Sequence, residues 1–349
     1  MKKRKYLPAI CLFLFLATAQ GQQARIMFYN VENLFDTEDD PLTDDNEFLP
    51  DSGRFWTYER YWRKVVRIYQ VISAVDRWDM PAVIGLCEIE NRRVLEKLVY
   101  DTPLSGYDYR FIHRDSPDPR GIDVALLYRK AIFEPDTAEW LHITFKEGGE
   151  TREILKVTGI LWKDVRVHFY VNHWPSRSGG ATSSAAKRIS AATSLKGSLD
   201  SLFSREPGAN VIMMGDFNDE PWDGSLQLLT DPNPAINYDS ASQIVNLSGK
   251  KGISNANGTL KHEGAWNVFD QFLVSGAVKF GSNGINLKEG QAEIFSAPFL
   301  LEPDDYYFGS RPFRTYIGPT YHNGFSDHLP VSVVVEKVDN RRQESGDRR

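Results

Sequence analysis

Five short clusters of polar residues interrupt apolar segments of the sequence and contain its best candidates for chemistry. They are Asn30 with Glu32 and Asn33, Glu88, Asn172 with His173, Asp216 with Asn218, and Asp327 with His328. A single carboxylate or amide at the end of a strand usually caps a turn. Five such clusters in one chain are harder to explain by capping alone. Together they supply hard oxygen ligands and imidazoles, which is the set that Mg²⁺-assisted phosphate chemistry needs.

The hydrophobic pattern indicates which elements position these clusters. Short apolar runs predict strands at 25–30, 82–87, 122–128, 165–171, 211–214, 268–274 and 330–335. Helical spacing of apolar residues predicts helices over 58–76, 91–100 and 183–203, and the last helix has Ile189, Ala192, Leu195, Leu199 and Leu202 on one stripe. No repeat or composition break divides the chain, so we expect one α/β domain. Long loops are expected at 36–57, 240–265 and 296–326, and loops of that size are often functional.

The composition is that of a globular protein and excludes several classes. The chain has 349 residues, 41% apolar and 25% charged, so disordered and collagen-like architectures are excluded. Its two cysteines exclude a disulfide scaffold and a zinc site built on paired thiolates. There are 41 Lys and Arg against 47 Asp and Glu, a net charge of −6. This acidic balance argues against a protein that coats nucleic acid by bulk charge, but not against one that grips a phosphate through a metal ion.

The two ends of the chain differ from the segment between them. Four cations precede the apolar stretch 7–17, and Ala17-Thr18-Ala19 is a small-x-small cleavage pattern. The apolar run is too short to span a bilayer, so residues 1–21 are predicted to be a secretory signal peptide. We expect the domain to occupy residues 22–337 and a polar tail residues 338–349. The predicted location is the periplasm or the extracellular space, and the exported chain would carry a net charge of −10 because the signal peptide removes four cations and no anion.

Seven motifs, in their order along the chain, resemble the endonuclease/exonuclease/phosphatase superfamily. They are FYNVENLF, GLCEIEN, GIDVALLYR, VNHWPSR, MMGDFNDEP, VFDQFLVS and GFSDHLPV, and they run from about residue 25 to residue 335. The resemblance implies a deoxyribonuclease I-like α/β fold, in which a two-sheet β-sandwich is flanked by helices in four layers, α/β/β/α. It also implies metal-dependent hydrolysis of phosphodiester bonds.

The resemblance implies a metal site at three of these positions. Glu88 corresponds to the metal-binding glutamate of the family, and Asn30 to the asparagine that steadies the ion and its waters. Asp327 corresponds to the carboxylate beside a second metal position. The expected ion is Mg²⁺, with Mn²⁺ or Ca²⁺ as alternatives, because Mg²⁺ takes one or two protein carboxylates and keeps several waters.

Four further residues correspond to the family's catalytic positions. Asp216 and Asn218 are expected to orient the attacking water and bind the phosphoryl oxygen, and the intervening Phe217 would place both on one face of an extended segment. His328 corresponds to the catalytic histidine. Asp270 corresponds to the aspartate that holds this histidine in one tautomer, as in a catalytic triad. The sequence leaves open which group acts as general base and which as general acid.

A second histidine and its neighbours complete the expected site. His173 corresponds to the histidine of the deoxyribonuclease branch and is expected to contact phosphate or to protonate the leaving group. Asn172 and Arg177 flank it and are expected to bind substrate. Asp123 is the candidate partner carboxylate of His173, and Arg120 is a further candidate for substrate binding.

The sequence therefore predicts an exported, metal-dependent phosphodiesterase that catalyses in-line attack of water, with DNA or RNA as the favoured substrate. Two alternatives stay open. The substrate can instead be a small or lipid phosphoester, or the protein can be a secreted binding protein that kept the fold without the chemistry. A calcineurin-type metallophosphoesterase is disfavoured, because Asn172-His173 precedes the motif at 215–219 instead of following it. No obligate protein partner and no transmembrane segment are indicated.

Overall fold

A computed structural model describes residues 22–76, 79–230, 241–248 and 258–338. The predicted signal peptide and residues 339–349 of the predicted tail lie outside these ranges. No helix within them is both long enough and apolar enough to cross a bilayer.

The strands follow the chain in this order: β1 (Gln23–Leu34), β2 (Val83–Ile89), β3 (Tyr109–His113), β4 (Asp123–Arg129), β5 (Phe133–Leu141), β6 (Ile154–Leu161), β7 (Val165–His173), β8 (Val211–Asp216), β9 (Ile244–Asn246), β10 (Leu260–His262), β11 (Ala265–Asn267), β12 (Asp270–Ser275), β13 (Ile285–Leu287), β14 (Glu293–Ile294), β15 (Leu301–Pro303), β16 (Ser310–Pro312), β17 (Tyr316–Ile317), β18 (Thr320–Tyr321) and β19 (Val331–Lys337). The helices are α1 (Tyr58–Ala74), α2 (Arg92–Tyr100), α3 (Ala181–Arg205), α4 (Gly224–Thr230) and α5 (Gly276–Phe280).

Two mixed sheets form the centre of the fold. The first has the order β13-β19-β1-β2-β4-β3, with β14 also paired to β19, and the second has the order β5-β6-β7-β8-β12-β9. Each sheet contains one parallel pair, β1 with β2 and β7 with β8, among antiparallel neighbours. Apolar residues of both sheets interdigitate between them, among them Phe28, Leu126, Phe169 and Met214. Gly85 permits this close packing, since a Cβ there would lie 3.0 Å from Sδ of Met214.

Helices cover the outer face of each sheet. Helix α1 buries Val65, Ile68 and Ile72 against the first sheet, together with α2. Helix α3 buries Leu195 and Leu199 against the second sheet. The layers are therefore α/β/β/α, and the predicted deoxyribonuclease I-like fold class is confirmed.

Several local predictions differ from the structure. Ile189 was expected on the buried stripe of α3, but its side chain is exposed because the buried face runs through Arg188, Ala191 and Ala192 instead. The region predicted as the long loop 296–326 contains two small hairpins, β15–β16 and β17–β18. Their strands are two or three residues long, which is too short for alternation to be recognised.

Candidate active site

The polar clusters meet because strands of both sheets reach one edge of the sandwich, where β2, β7 and β8 end and β12 begins. Asn30 of β1 pairs with Cys87 of β2 in parallel register, so Glu88 follows directly beside it. In the second sheet Asp216 is opposite His173 on one side and Asp270 on the other. The β-sandwich topology therefore brings these residues, which are far apart in the sequence, to one place.

Glu88 and Asp216 face each other across the junction of the sheets and share one amide. Nδ2 of Asn30 donates to Oε1 of Glu88 at 3.2 Å and to Oδ2 of Asp216 at 3.1 Å. Oδ1 of Asn30 accepts from the backbone N–H of Glu32 at 2.9 Å, and this hydrogen bond fixes the orientation of the amide group. Of the Lys, Arg and His side chains that the structure describes, only His173 comes within 4.0 Å of the Glu88 carboxylate, with its Nε2 3.9 Å from Oε1. A carboxylate with so little cationic compensation fits a divalent cation.

The backbone of the site is held in an uncommon conformation. Glu88 and Asn218 have positive φ values of 61° and 51°, and Glu32 and Asn33 have values of 54° and 59°. Residues other than glycine rarely adopt this region, and they do so where the surrounding structure imposes it, often at functional sites. The Glu88 side chain is held in turn by one of the other strained residues, because the backbone N–H of Asn33 donates to Oε2 of Glu88 at 2.9 Å.

His328 and Asp270 form the contact that the sequence predicts. Nδ1 of His328 lies 2.7 Å from Oδ2 of Asp270, and Asp270 is fully buried. Burial alone would lower the pKa of His328, but the charges of Asp270 and Asp216 and the hydrogen bond to Asp270 outweigh it and raise that pKa well above its ordinary value. In this arrangement His328 is an imidazolium whose Nε2–H faces Oδ2 of Asp216 at 3.8 Å.

Asp216 lies at the centre of the site. Burial raises its pKa to about 7, with a smaller upward contribution from Asp270, while His328 opposes the shift. The Nε2 atoms of His173 and His328 are each 3.8 Å from its Oδ2. A carboxylate with a pKa near the working pH is suited to accept a proton. Asp216, Asp270 and His328 also offer ligand atoms within 4.8 Å of one another, but the imidazolium form of His328 has no free lone pair and would have to lose a proton before it could hold a cation.

His173 is contacted by an arginine where a carboxylate was expected. The guanidinium of Arg152, which is itself buried, lies 3.2 Å from Nε2 of His173 and also donates to the backbone carbonyls of His173 and Trp174. Arginine can only donate, so Nε2 is an acceptor and the proton of the neutral ring is on Nδ1. Burial, followed by the charges of Arg152 and Arg120, lowers the pKa of His173 well below its ordinary value.

The predicted pairing of Asp123 with His173 is wrong. Oδ2 of Asp123 lies 2.9 Å from Nε2 of His113, and its Oδ1 accepts from the backbone N–H of Ser116 at 2.8 Å. The reason is topological: Asp123 begins β4, whose neighbour β3 places His113 within reach in the same sheet, whereas His173 belongs to the other sheet. Arg120 lies at the exposed rim and donates to Oδ1 of Asn33 at 2.8 Å.

The expected extended segment through Asp216, Phe217 and Asn218 is instead a turn. Strand β8 ends at Asp216, and Asn218 donates its backbone N–H back to Oδ1 of Asp216 at 2.9 Å. Phe217 is buried against Trp174, with ring centroids 4.8 Å apart. Gly215 is required next to this turn, because a Cβ there would lie 2.5 Å from the backbone oxygen of Asn172.

Two of the expected substrate-binding residues are engaged inside the protein. Nδ2 of Asn172 donates to the carbonyl of Met214 at 3.2 Å, and its Oδ1 accepts from the indole of Trp174 at 3.1 Å. Arg177 donates to the carbonyl of Asn218 at 2.8 Å, and to the carboxylates of Asp219 and Asp223 at 3.0 and 2.6 Å. Both side chains hold the loop that carries Asp216, and their contact with substrate stays a prediction.

Asp327 is the outermost member of a charged network beneath the site. Arg314 donates to Oδ2 of Asp327 at 2.8 Å and to Oε1 of Glu32 at 3.2 Å. Glu32 also accepts from the backbone N–H of Thr315 at 2.7 Å and lies 3.8 Å from Nζ of buried Lys64. Although burial opposes it, the charge of Arg314, followed by those of His328 and Lys64, lowers the pKa of Asp327 below its usual range.

Sequence reasoning missed the importance of Arg152 and Lys64. Arg152 precedes β6 outside every motif, and Lys64 lies within an amphipathic helix, where a lysine is normally exposed. The only signal for Lys64 is its position on the apolar stripe of α1, among Tyr61, Val65 and Ile68.

Comparison with known proteins shows the family to which the sequence belongs. The sequence matches the Endonuclease/Exonuclease/phosphatase family over residues 25–337. A family protein from Bacteroides thetaiotaomicron is similar in structure, with 16% identity, coverage of 92% of this chain and 100% of that one, and a TM-score of 0.56. TDP2 from C. elegans has 13% identity, coverage of 90% and 75%, and a TM-score of 0.54. The human Nocturnin catalytic domain with bound sulfate anion has 15% identity, coverage of 90% and 95%, and a TM-score of 0.53. No curated protein matches the sequence.

Proposed function

Because the chain belongs to the endonuclease/exonuclease/phosphatase family, we propose that it is a phosphodiesterase that hydrolyses nucleic acid with the help of a divalent cation. Members of this family are hydrolases that act on phosphodiester bonds. We further propose that the protein is exported, on the basis of residues 1–21. The observation that carries the proposal is the continuous set of contacts from Glu88 through Asn30 to Asp216, with His328 and Asp270 beside it.

The side chains present fit a divalent cation. Glu88 would hold it, Asn30 fixes the position of this carboxylate relative to Asp216, and Asp327 offers a further oxygen at the exposed side. We propose Mg²⁺, with Mn²⁺ or Ca²⁺ as alternatives. Such an ion would neutralise charge on the phosphate oxygens.

The protein's own residues supply the proton chemistry. Asp216, with a pKa of about 7, can accept a proton from the attacking water. The imidazolium of His328 is directed toward the same point and can stabilise the phosphoryl oxygens by a charge-assisted hydrogen bond. As the bond from phosphorus to the leaving oxygen breaks, that oxygen would take its proton from a solvent water. His173 is neutral, and the guanidinium of Arg152 beside it is paired with the buried carboxylate of Asp118 at 2.8 Å. We propose that this guanidinium, through its contact with Nε2, holds His173 in its neutral form over the working pH range.

The experiment is a substrate panel with purified protein. Linear DNA, RNA, abasic DNA, sphingomyelin, inositol phosphates and bis-p-nitrophenyl phosphate are each incubated with Mg²⁺, Mn²⁺ or Ca²⁺, or with a chelator. We expect hydrolysis of bis-p-nitrophenyl phosphate and of DNA or RNA, and loss of both with chelator. Hydrolysis confined to sphingomyelin or inositol phosphates would replace the nucleic acid assignment by a lipid or small phosphoester. If no substrate turns over, the protein is a binding protein with this fold.

A further inference from the structure

Three consecutive aromatic side chains stand out from the surface between β15 and β16. Tyr306 and Phe308 are 79% and 82% exposed and Tyr307 is 45% exposed. We call these three residues the aromatic tip. The rings of Tyr306 and Tyr307 lie edge to face, with centroids 4.6 Å apart. Large aromatic side chains rarely remain this exposed together unless they contact a partner.

The aromatic tip is anchored from below. Nζ of Lys261 lies 2.8 Å from Oδ2 of Asp304 and donates to the carbonyl of Phe308 at 2.7 Å. Both side chains of this ion pair are almost completely buried. Asp304 also accepts from the backbone N–H of Tyr307 at 3.1 Å. The tip is thus tied at both ends to one buried ion pair, and its rings are presented in a preorganised way.

The hairpin β10–β11 connects the aromatic tip to the active site. At its base, Leu260 forms a β-bridge with His328. At its turn, Gly264 packs against Tyr307, and a Cβ there would lie 2.9 Å from the ring. From Leu260 the chain runs along β10 to His262 and then turns at Gly264, so the two residues are at most about 13 Å apart. In a helical nucleic acid strand, with about 3.4 Å per nucleotide, this distance corresponds to at most about four nucleotides, and to fewer in an extended strand.

We propose that the aromatic tip is a stacking platform for unpaired bases of the substrate, a few nucleotides from the bond that is cleaved. This inference rests on the proposed function and specifies its substrate as single-stranded nucleic acid. Base–aromatic stacking tolerates any sequence, because every base has a π-face. The platform would hold the strand while its phosphate enters the site beside His328.

The charges around the aromatic tip favour bases over phosphates as the groups that are bound. Glu263 and Asp305 are exposed beside it, and the charge of Lys261 is neutralised by Asp304. Phosphates and the anionic headgroups of a membrane would be repelled here, so a nucleic acid could approach only with its bases turned toward the rings and its backbone turned away. A single strand can present its bases in this way, whereas a duplex keeps them paired inside. An acidic protein that binds a nucleic acid strand needs such a non-electrostatic source of affinity.

The test uses a variant in which the three aromatic residues become serine, Tyr306→Ser with Tyr307→Ser and Phe308→Ser. The matched control replaces exposed aromatics elsewhere, Phe280→Ser with Tyr100→Ser. Binding of a fluorescein-labelled dT12 oligonucleotide is measured by anisotropy in chelator, and kcat/KM is measured for dT12 and for bis-p-nitrophenyl phosphate with Mg²⁺. We expect the tip variant to lose about 10- to 100-fold in dT12 affinity and kcat/KM. Hydrolysis of bis-p-nitrophenyl phosphate, which is too small to reach the tip, should be unchanged.

Further measurements separate the possible outcomes. Wild-type binding of dT12 should weaken little with salt, with a log–log slope shallower than about −1.5, corresponding to about two phosphate contacts. Equal dT12 binding by wild type and tip variant overturns the platform, as does equal binding of single strand and duplex. Tip-dependent binding to phosphatidylserine vesicles, without binding to dT12, would assign the tip to a membrane instead. If wild type hydrolyses nothing, the proposed function fails, while anisotropy still decides whether the tip binds single strands.

Discussion

Replacing Asp270 by asparagine tests how the charge on His328 is maintained. The carboxylate of Asp270 is fully buried and lies 2.7 Å from Nδ1 of His328, and together with Asp216 it reverses the effect of burial on the pKa of the histidine. Removing one partner of a buried charged pair costs about 3 kcal/mol or more. At about 1.36 kcal/mol for each factor of ten, a cost of this size corresponds to an imidazolium population about 100-fold smaller, so the pKa of His328 should fall.

The consequence is a defect that depends on pH. If the imidazolium form is required, kcat/KM of Asp270→Asn should be about 100-fold below wild type at pH 8, and the defect should shrink as the pH falls toward 5.5. The assay is the pH–rate profile for bis-p-nitrophenyl phosphate. Asp45→Asn is the matched control, because Asp45 is also a buried aspartate but lies outside the site.

The same substitution changes how stability depends on pH. Because the pKa of His328 is raised in the native state, the group stabilises the fold fully below its unfolded pKa of about 6.5. That contribution disappears as the pH rises through the raised native value. In urea unfolding, Asp270→Asn should lose this contribution, so its free energy of unfolding should decrease less than that of wild type between pH 6.5 and 9. A wild-type rate profile and wild-type stability slope in Asp270→Asn would refute the role given to this pair.

Three other substitutions test the remaining parts of the site. Arg152→Met should raise the pKa of His173, although burial still keeps that pKa below its ordinary value, and ¹⁵N NMR of the ring nitrogens detects the rise. The substitution should also lower kcat/KM about tenfold; a wild-type ring whose proton is on Nε2 would contradict the assigned tautomer. Glu88→Gln should weaken Mn²⁺ binding about 10- to 100-fold in calorimetry, and unchanged affinity would remove Glu88 from the cation site. Lys64→Met should lower the free energy of unfolding by about 3 kcal/mol, because it leaves Glu32 less compensated, and adding Glu32→Gln should recover part of the loss in urea titrations.

The sequence contains enough to predict the layers of the fold and most of the site. Long apolar runs such as those of β2, β7 and β8 identify the central strands, and the polar residue that ends each run is the one that reaches the site. Helices α1 and α2 were predicted within a few residues of their observed ends. These features could be predicted because they depend on local periodicity and on motifs that resemble a known family.

The parts that could not be predicted depend on contacts between distant segments. The arginine on His173 belongs to a segment without a motif, and the Asp123 carboxylate is taken by His113 of the neighbouring strand. The left-handed turn at Asn218 follows from packing of Phe217 against the core, which no local pattern indicates. Edge strands such as β5 were missed because their outward residues are polar along most of their length.

The most direct measurement compares two histidine variants in the hydrolysis of bis-p-nitrophenyl phosphate with Mg²⁺. His328→Ala removes the imidazolium beside Asp216, whereas His168→Ala removes an equally buried histidine that contacts Thr158 and Glu206 away from the site. We predict that wild type and His168→Ala, once shown to be folded, hydrolyse the substrate in a chelator-sensitive reaction and that His328→Ala loses at least 100-fold in kcat/KM. Equal turnover by His328→Ala and His168→Ala, or no turnover by wild type, would contradict the assignment of hydrolysis to this site.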